Sequence, residues 1–530
     1  MDQQEIEISG LSRRHFIQGA SSVALAAGIF SSSSLNALAA STPGKKGGTL
    51  KVGVVGGAND LFDPNYTVAK ADEARLHSTF ETLLTFDENF KWTTANGLAE
   101  SAKANGASQY TIKLRKGVKF HDGTPLTADD VIASFKRMLD PSKKTTGKSL
   151  RSTLKPDGLV KIDDLTVQFN LYAPNVLFLD QIAAYTRAIS KAGYDGKTQI
   201  GTSAYSLASY TPGRESVHMR FKDYWDAKNV FFDEVRIIDF ADKTALVNAL
   251  IAKQIDVAID VPFEQYTTLK SKKYLNSVEN SAGAWLAFCM RIDIKPFDDN
   301  NVRQALRLIV DRKQMLKRVL SGHGQIANDL YGYISSDYNA NGFPQREQDI
   351  PAALALLKKS GYSKTNPLKV ELTAPDDTGG LIPMIQTLAE QAKKTDGVVI
   401  IDAKVIDGGT YWSSKGQYMN TGFYTTWWPG RDYLTQVTAS MDSYPETKFP
   451  PADSSFRADF LKAIGTVNPK KRREISAKMQ KEEFEKGAYI IPFFNNFLDV
   501  YSTKVKGISN TPAATNMNYF SHGFKYLSFG

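Results

Sequence analysis

The residues best able to do chemistry are thinly spread along this 530-residue chain. The six histidines are His15, His77, His121, His218, His323 and His522, no two of them within five positions of each other, and Cys289 is the only cysteine. Zinc sites built on local spacing need paired His or Cys ligands, so no metal site, no cofactor and no intramolecular disulfide is expected. Cys289 reads as a small buried hydrophobe. The chain has no Gly-x-Ser-x-Gly elbow, phosphate loop or dinucleotide fingerprint. Gly53-Val54-Val55-Gly56-Gly57 follows a strand but has the spacing of neither glycine loop, and reads as a turn. The acid pairs Asp129-Asp130 and Asp376-Asp377 read as helix-start or loop acids. These observations argue against an enzyme; a catalytic site assembled from remote residues stays open.

Elements that could position a site are clearly punctuated. Val235–Phe240, an apolar helical stripe over 242–253 and Ile255–Asp260 form one strand–helix–strand unit. Leu368–Thr373, a stripe through Ile382, Ile385, Leu388 and Ala392, and Val398–Val405 form a second. Such units build parallel sheets covered by helices. Their separation suits one α/β core in each of two lobes, and a single core stops growing at roughly 250–300 residues. Thr127 and Asp130 predict a capping box on a helix that Pro141 ends. Val302 to Val319 predicts one longer helix stopping before Gly322. Pro351 opens a short helix closed by Gly361, and Asn468-Pro469 opens another reaching about Lys486. Residues 107–120 and 160–171 alternate like antiparallel strands.

The N-terminus reads as an export signal. Ser12-Arg13-Arg14-His15-Phe16 precedes an apolar stretch from Val23 to Phe30, and Ala37-Leu38-Ala39 supplies small residues for cleavage near Ala39-Ala40. The arginine pair resembles a twin-arginine signal. No cysteine lies at the cleavage site, so a free periplasmic protein is expected, and nothing after residue 40 approaches the ~18–20 apolar residues of a membrane span. The net charge is +9. The lysines are scattered, and Lys470-Lys471-Arg472-Arg473 lacks interleaved aromatics, so a solvated helix face is expected rather than a nucleic-acid partner. No oligomerisation signal is evident, and a monomer is expected.

The run from Tyr110 to Lys136, containing Phe120-His121-Asp122-Gly123-Thr124-Pro125 and Thr127-Ala128-Asp129-Asp130-Val131, resembles the signature of the peptide/nickel-type (family 5) extracellular solute-binding proteins of ABC importers. Ile200-Gly201-Thr202-Ser203-Ala204-Tyr205, Lys222-Asp223-Tyr224-Trp225, Ile255-Asp256-Val257 and Pro296-Phe297-Asp298-Asp299 with Val302-Arg303-Gln304-Ala305-Leu306 follow in that family's order. The resemblance covers essentially the whole chain after the export signal. It implies a two-lobed α/β fold of the Venus-flytrap kind with an extra subdomain inserted in the first lobe. Lobe I is expected over 40–286 with the insertion at about 86–199, lobe II over 287–490, and a return to lobe I over 491–530. Two crossover strands, near Gly283–Met290 and Tyr489–Phe494, are expected to form the hinge. His121-Asp122-Gly123 is expected to close a structural turn.

The function implied is capture of a peptide or peptide-like solute between closing lobes and delivery to an ABC permease. A peptide brings backbone groups and two terminal charges, and each buried charge needs a counter-charge. Thr425-Thr426-Trp427-Trp428-Pro429-Gly430-Arg431-Asp432-Tyr433 is the candidate wall, in the place where the family has a Trp followed by an acidic loop that holds the peptide amine. Here Arg431 stands where that acid would be, or Asp432 replaces it, which puts a free-amine peptide in doubt and favours a carboxylate. Trp427 and Trp428 cannot face the same side of a strand, so one is expected in the core. Arg291, near the first crossover, is a second candidate for a ligand carboxylate or for an interlobe ion pair. Asn65, Tyr66, Trp285, Trp412 and Asn495 complete the candidate ligand contacts. Alternatives are import of a non-peptide anionic solute such as a modified amino acid or sugar conjugate, a periplasmic hydrolase, and a chaperone or sensor using the same cleft.

Overall fold

The computed structural model describes residues 44–508 and 524–530, apart from 59, 67–69, 88, 144 and 340–341. The export signal expected over 1–39 lies outside the described residues. The chain begins with strand β1 (Thr49–Val55) and helix α1 (Lys70–Thr79). An inserted four-stranded antiparallel sheet follows, made of β2 (Ala99–Asn105), β3 (Gln109–Leu114), β4 (Leu154–Asp163) and β5 (Thr166–Leu171), in spatial order β2-β3-β5-β4. Helices α2 (Ala128–Leu139) and α3 (Phe178–Ala183) accompany it, around a core including Ile112, Leu114, Val131, Phe135, Val167 and Phe169. The Asp130 carboxylate accepts from the backbone N–H of Thr127 at 2.9 Å and from its hydroxyl at 3.0 Å, so the predicted capping box forms.

The chain then returns to the first sheet through β6 (Tyr205–Thr211), β7 (Glu215–Arg220), β8 (Glu234–Phe240), α4 (Lys243–Ile251) and β9 (Val257–Ala258). Strands β8 and β9 flank β1, each parallel to it, so the first strand–helix–strand unit straddles β1 instead of pairing its own strands. The 16-residue strand β10 (Leu275–Met290) leads out of lobe I into lobe II. Lobe II holds α5 (Asn300–Ile309), α6 (Arg312–Leu320), β11 (Leu368–Pro375), α7 (Leu381–Ala392), β12 (Val399–Ile406), β13 (Phe423–Trp428), α8 (Tyr433–Thr438), α9 (Phe456–Ile464) and α10 (Pro469–Lys486). Strand β14 (Phe493–Ser502) carries the chain back to lobe I.

The helix expected from Val302 to Val319 is two helices. Val310 is extended at φ −73°, ψ 113°, and Asp311 starts α6 by accepting from the Gln314 N–H at 2.9 Å. Both helices bury their apolar faces in one core with Leu372, Leu388 and Phe423, so the apolar stripe runs on across a break in the backbone. Lys470 and Lys471 are exposed in the first turn of α10, whereas Arg472 turns inward to Asp337 at 3.0 Å.

The lobes share one sheet, ordered β12-β11-β13-β10-β14-β9-β1-β8-β7-β6, in which β10 and β14 pair antiparallel and belong to both halves. Their register shifts between Asn280 and Ala284, and Gly283 sits there at φ +65°. This is a β-bulge with the backbone conformation that favours glycine, at the point where the sheet passes from one lobe to the other.

Candidate functional site

The parallel strands of each lobe end on the side that faces the other lobe. In lobe I, β8 ends at Phe240, just before α4. In lobe II, β11 and β12 end at Pro375 and Ile406. A Cβ built on Gly379, just past β11, would lie 3.9 Å from the Lys243 ammonium at the start of α4, so these ends approach each other. Ligands in open α/β sheets sit beyond the carboxyl ends of strands. The inserted subdomain closes a further side. The Val176 N–H donates to Ile464 O across the seam at 2.8 Å, and Leu177 joins the aromatic core of lobe II with Phe456 and Phe460.

The candidate wall is β13, antiparallel to β10 with Trp428 opposite Trp285. Alternation resolves the tryptophan pair: Trp427 is 41% exposed and Trp428 only 6%. Trp428 stacks on Trp285 with centroids 6.2 Å apart, and Trp285 stacks in turn on Tyr331 at 5.7 Å. Trp285 is thus a core plug and not a ligand contact. Beneath Trp428 lies Glu446, fully buried, which sequence reasoning missed. Its carboxylate accepts from Thr426 Oγ1 at 2.5 Å, Tyr489 OH at 2.6 Å, Tyr418 OH at 2.7 Å and Trp428 Nε1 at 2.9 Å. Burial raises its pKa and these four donors hold the rise back. Cys289 is buried beside it with its thiol pKa raised by burial, the behaviour of a hydrophobic filler.

Gly430 passes so close to the bulge that a Cβ there would meet Ala282 O at 1.7 Å. Only glycine fits, and the backbone delivers Arg431 to the hinge side of the cleft. The Arg431 guanidinium lies 4.8 Å from the centroid of the Trp428 ring. Tyr444, 43% exposed, meets the same ring edge-on at 5.7 Å. Asp432 turns away. It caps α8 through Leu434 N at 3.0 Å and accepts from Ser335 Oγ at 2.6 Å.

Across the cleft, Tyr185 and Arg187 form one turn of the inserted subdomain. Arg187 Nη1 donates to Thr146 Oγ1 and Thr186 Oγ1, each at 2.9 Å. Burial, and then the positive charge of Arg431, push its pKa down to about 10. The Tyr185 hydroxyl hydrogen-bonds Glu73 of α1. Neither Tyr185 nor Arg187 stood out in the sequence, because nothing near them in the chain hints that the charge of Arg431 reaches them.

The remaining candidates divide. Asn65 is fully buried: its amide donates to Ala188 O at 3.0 Å and its Oδ1 accepts from Arg137 at 2.8 Å. It anchors the early loop and does not face a ligand, while Tyr66 beside it is partly exposed. Arg291 pairs within lobe II with Asp293 at 2.5 Å and also bonds Met419 O. It lies six residues along β10 from Trp285, roughly 20 Å at ~3.3 Å per residue, toward the end of lobe II away from the cleft. Its ion pair is therefore within lobe II and does not cross between the lobes. Trp412, just past the end of β12, donates to Asp377 Oδ1 at 3.1 Å. Asn495 lies on the crossover strand opposite Ala284, and its Oδ1 is buried with no hydrogen-bond partner among the described residues. An open groove of about 360 Å³ lies elsewhere, on the inserted subdomain beside Arg137 and Lys191.

His121 accepts from the Gly201 N–H through Nδ1 at 3.3 Å and contacts Ser203 O through Nε2 at 3.0 Å, so it ties the turn at Gly123 to the 201–203 segment as one neutral tautomer. Among the described residues no cluster of three or more His, Cys, Asp or Glu could hold a metal ion, and no helix is long and apolar enough to cross a membrane.

Two α/β lobes on one hinged sheet, with an inserted subdomain and a cleft at the strand ends, define the periplasmic-binding-protein class of fold. The chain belongs to the bacterial extracellular solute-binding proteins, family 5, whose profile matches residues 93–446. It is 25% identical over 470 residues to the glutathione-binding protein GsiB of Escherichia coli K12, covering 84% of this chain and 89% of that one. Among solved structures it resembles the binding protein AgaA in complex with agropinic acid from A. tumefaciens R10, with a TM-score of 0.78, 22% identity, and coverage of 91% of this chain and 99% of that one. It resembles equally the binding protein DppA of Helicobacter pylori in complex with the peptide STSA, with a TM-score of 0.78, 19% identity, and coverage of 92% and 98%.

Proposed function

We propose that this chain is exported through its N-terminal signal to the periplasm, traps a peptide or peptide-like solute between its lobes as a monomer, and presents it unaltered to an ABC permease. The observation that carries this reading is the shared sheet with a glycine bulge at the lobe boundary, facing a cleft whose walls come from both lobes and the inserted subdomain. A ligand that touches both walls only when they meet favours the closed state by its differential affinity. The family supports a binding role. GsiB is named for glutathione, and DppA was solved with a tetrapeptide. Of the expected contacts, the reading keeps Tyr66, Trp412, Trp427, Arg431 and Asn495 as those that meet the solute.

The decisive experiment is mass spectrometry of the small molecule that co-purifies from the native host, followed by X-ray scattering of the emptied protein with and without that molecule. Compaction on rebinding with the molecule recovered intact is expected. Chemical conversion of the molecule would remove the reading in favour of a hydrolase.

A further inference from the structure

A histidine spans the hinge beside the bulge at Gly283. Helix α6 of lobe II ends at Leu320, and Ser321 and Gly322 both take left-handed backbone, at φ +51° and +90°. The chain reverses there. The His323 N–H donates to Leu320 O at 2.8 Å, and the short strand Gly324–Ile326 runs antiparallel to β14. Lobe II thereby places the His323 imidazole against the lobe I half of β10. His323 Nδ1 lies 3.1 Å from Glu279 Oε1, and Asn496 Nδ2 donates to the same oxygen at 2.6 Å. Glu279 stands on β10 just before the register shift between Asn280 and Ala284, and Gln325 Nε2 donates to Ser281 Oγ within the shift at 3.1 Å. From lobe I, Tyr266 of the helix Phe263–Lys270 meets the imidazole edge-on at 5.0 Å.

A carboxylate only accepts, so the facing Nδ1 carries the hydrogen. A second proton, on Nε2, would turn this neutral bond into an ion pair. The side chains of His323 and Glu279 are 18% and 29% exposed, so salt screens that attraction only in part. The other ionisable groups gathered here do not compete. Lys270 is exposed, with its ammonium 6.0 Å from the Tyr266 ring centroid. Asp499 accepts from the Asp260 N–H at 2.9 Å. Burial raises Tyr266 and Tyr501 above the usual phenol range, so both stay neutral.

Histidine is the side chain that ordinarily changes charge between pH 5 and 8. Burial pushes His121 down to about 4 and His218 to about 3, so neither gains charge above pH 5. We propose that His323 is a pH-operated latch: on gaining a proton it pairs with Glu279 across the bulge and holds the lobes in the closed arrangement. The closed form then binds this proton more tightly than any form that parts the pair. Closure gains as pH falls toward 5 and loses this contribution as pH rises toward 8, by no more than roughly tenfold per pH unit for one proton. The latch adds a regulatory device to the trapping reading and uses no contact with the solute.

X-ray scattering of the emptied protein at pH 5, 6.5 and 8 tests it on wild type, His323→Gln, His323→Lys, Glu279→Gln and Asp180→Asn, each first checked for native circular dichroism. Wild type should be more compact at pH 5 than at pH 8. His323→Gln and Glu279→Gln should lose that difference. His323→Lys, with a charge fixed over the whole range, should be compact throughout and keeps the test decidable if the neutral variants fail to fold. Asp180→Asn should keep the difference, because its carboxyl lies in the seam and not at the hinge. A wild-type radius of gyration indifferent to pH overturns the latch, as does a wild-type response in the His323 variants or a response lost in Asp180→Asn. None of these outcomes touches the trapping reading, which stands or falls on compaction with the co-purified molecule. A His323-dependent response in a protein that does not compact with that molecule keeps the latch and sinks the trapping reading.

Discussion

Glu446 sets the geometry on which Arg431 depends. A carboxylate accepts and does not donate, so Thr426, Trp428, Tyr418 and Tyr489 can all point their hydrogens at it. Glu446→Gln replaces one oxygen with an NH₂ group that confronts donors with a donor. Each buried group left unsatisfied costs about 1–3 kcal/mol, and urea unfolding should register a loss of at least that size. Unchanged stability would mean that the four donors are not organised by the charge. Trp285, 1% exposed in the same cluster, should behave as a core residue: Trp285→Ala should cost about 3–5 kcal/mol by the same assay.

At the scale of elements, two local devices bear most weight. Asp130 both caps α2 and accepts from the Ala192 N–H at 2.8 Å, tying the helix to the segment that leads out of the insertion. Asp130→Ala should therefore cost more than an ordinary cap, about 2 kcal/mol or above, in denaturant unfolding. Gly283 holds the bulge at φ +65°, and a Cβ there would meet Ile334 Cγ2 at 2.8 Å. Gly283→Ala should lose about 1–2 kcal/mol from the left-handed backbone alone. Because the bulge lies at the lobe boundary, the variant should also alter the compaction measured on ligand binding; a variant destabilised but closing normally would place the hinge elsewhere.

The whole molecule adds a coupling between protons and closure. Asp180, on α3 of the insertion, is pushed up to about 8 by burial and by Asp432 of lobe II, with Arg472 opposing. Opening the seam returns Asp180 to water and to its ordinary acidity. The closed form then holds a proton that the open form releases between pH 3.8 and about 8. This contribution to closure is complete below the lower value and is lost as pH rises through the upper one. Ligand affinity of the wild type should fall as pH rises from 6 toward 9, in ~1-unit steps, and Asp180→Asn should flatten that part of the slope. His218 acts on global stability with the opposite sign. Buried between Thr79 and Ser216 and pushed down to about 3, it remains neutral in the folded chain while the unfolded chain binds a proton below 6.5. Stability should therefore fall as pH drops from 6.5 toward 3, and His218→Asn should lessen that fall in pH-dependent unfolding.

Much of this protein is written locally. The capping box of α2, the Pro469 start of α10, the turn at Gly123 and the alternation of 109–114 and 166–171 are settled by bonds and side-chain directions within a few residues, and the sequence alone determines them. The order of family-like segments likewise determines the class of fold. The site was legible only in part. The sequence required Trp427 and Trp428 to part but not which would be buried, because that choice belongs to the packing of β13 on β10. It could not place Arg291 away from the cleft, since the direction of β10 relative to the parallel strands is a matter of sheet topology. Nor could it set Arg187 of the insertion within reach of the charge of Arg431, because the approach of distant stretches of chain is decided by how the lobes pack and not by spacing along the chain.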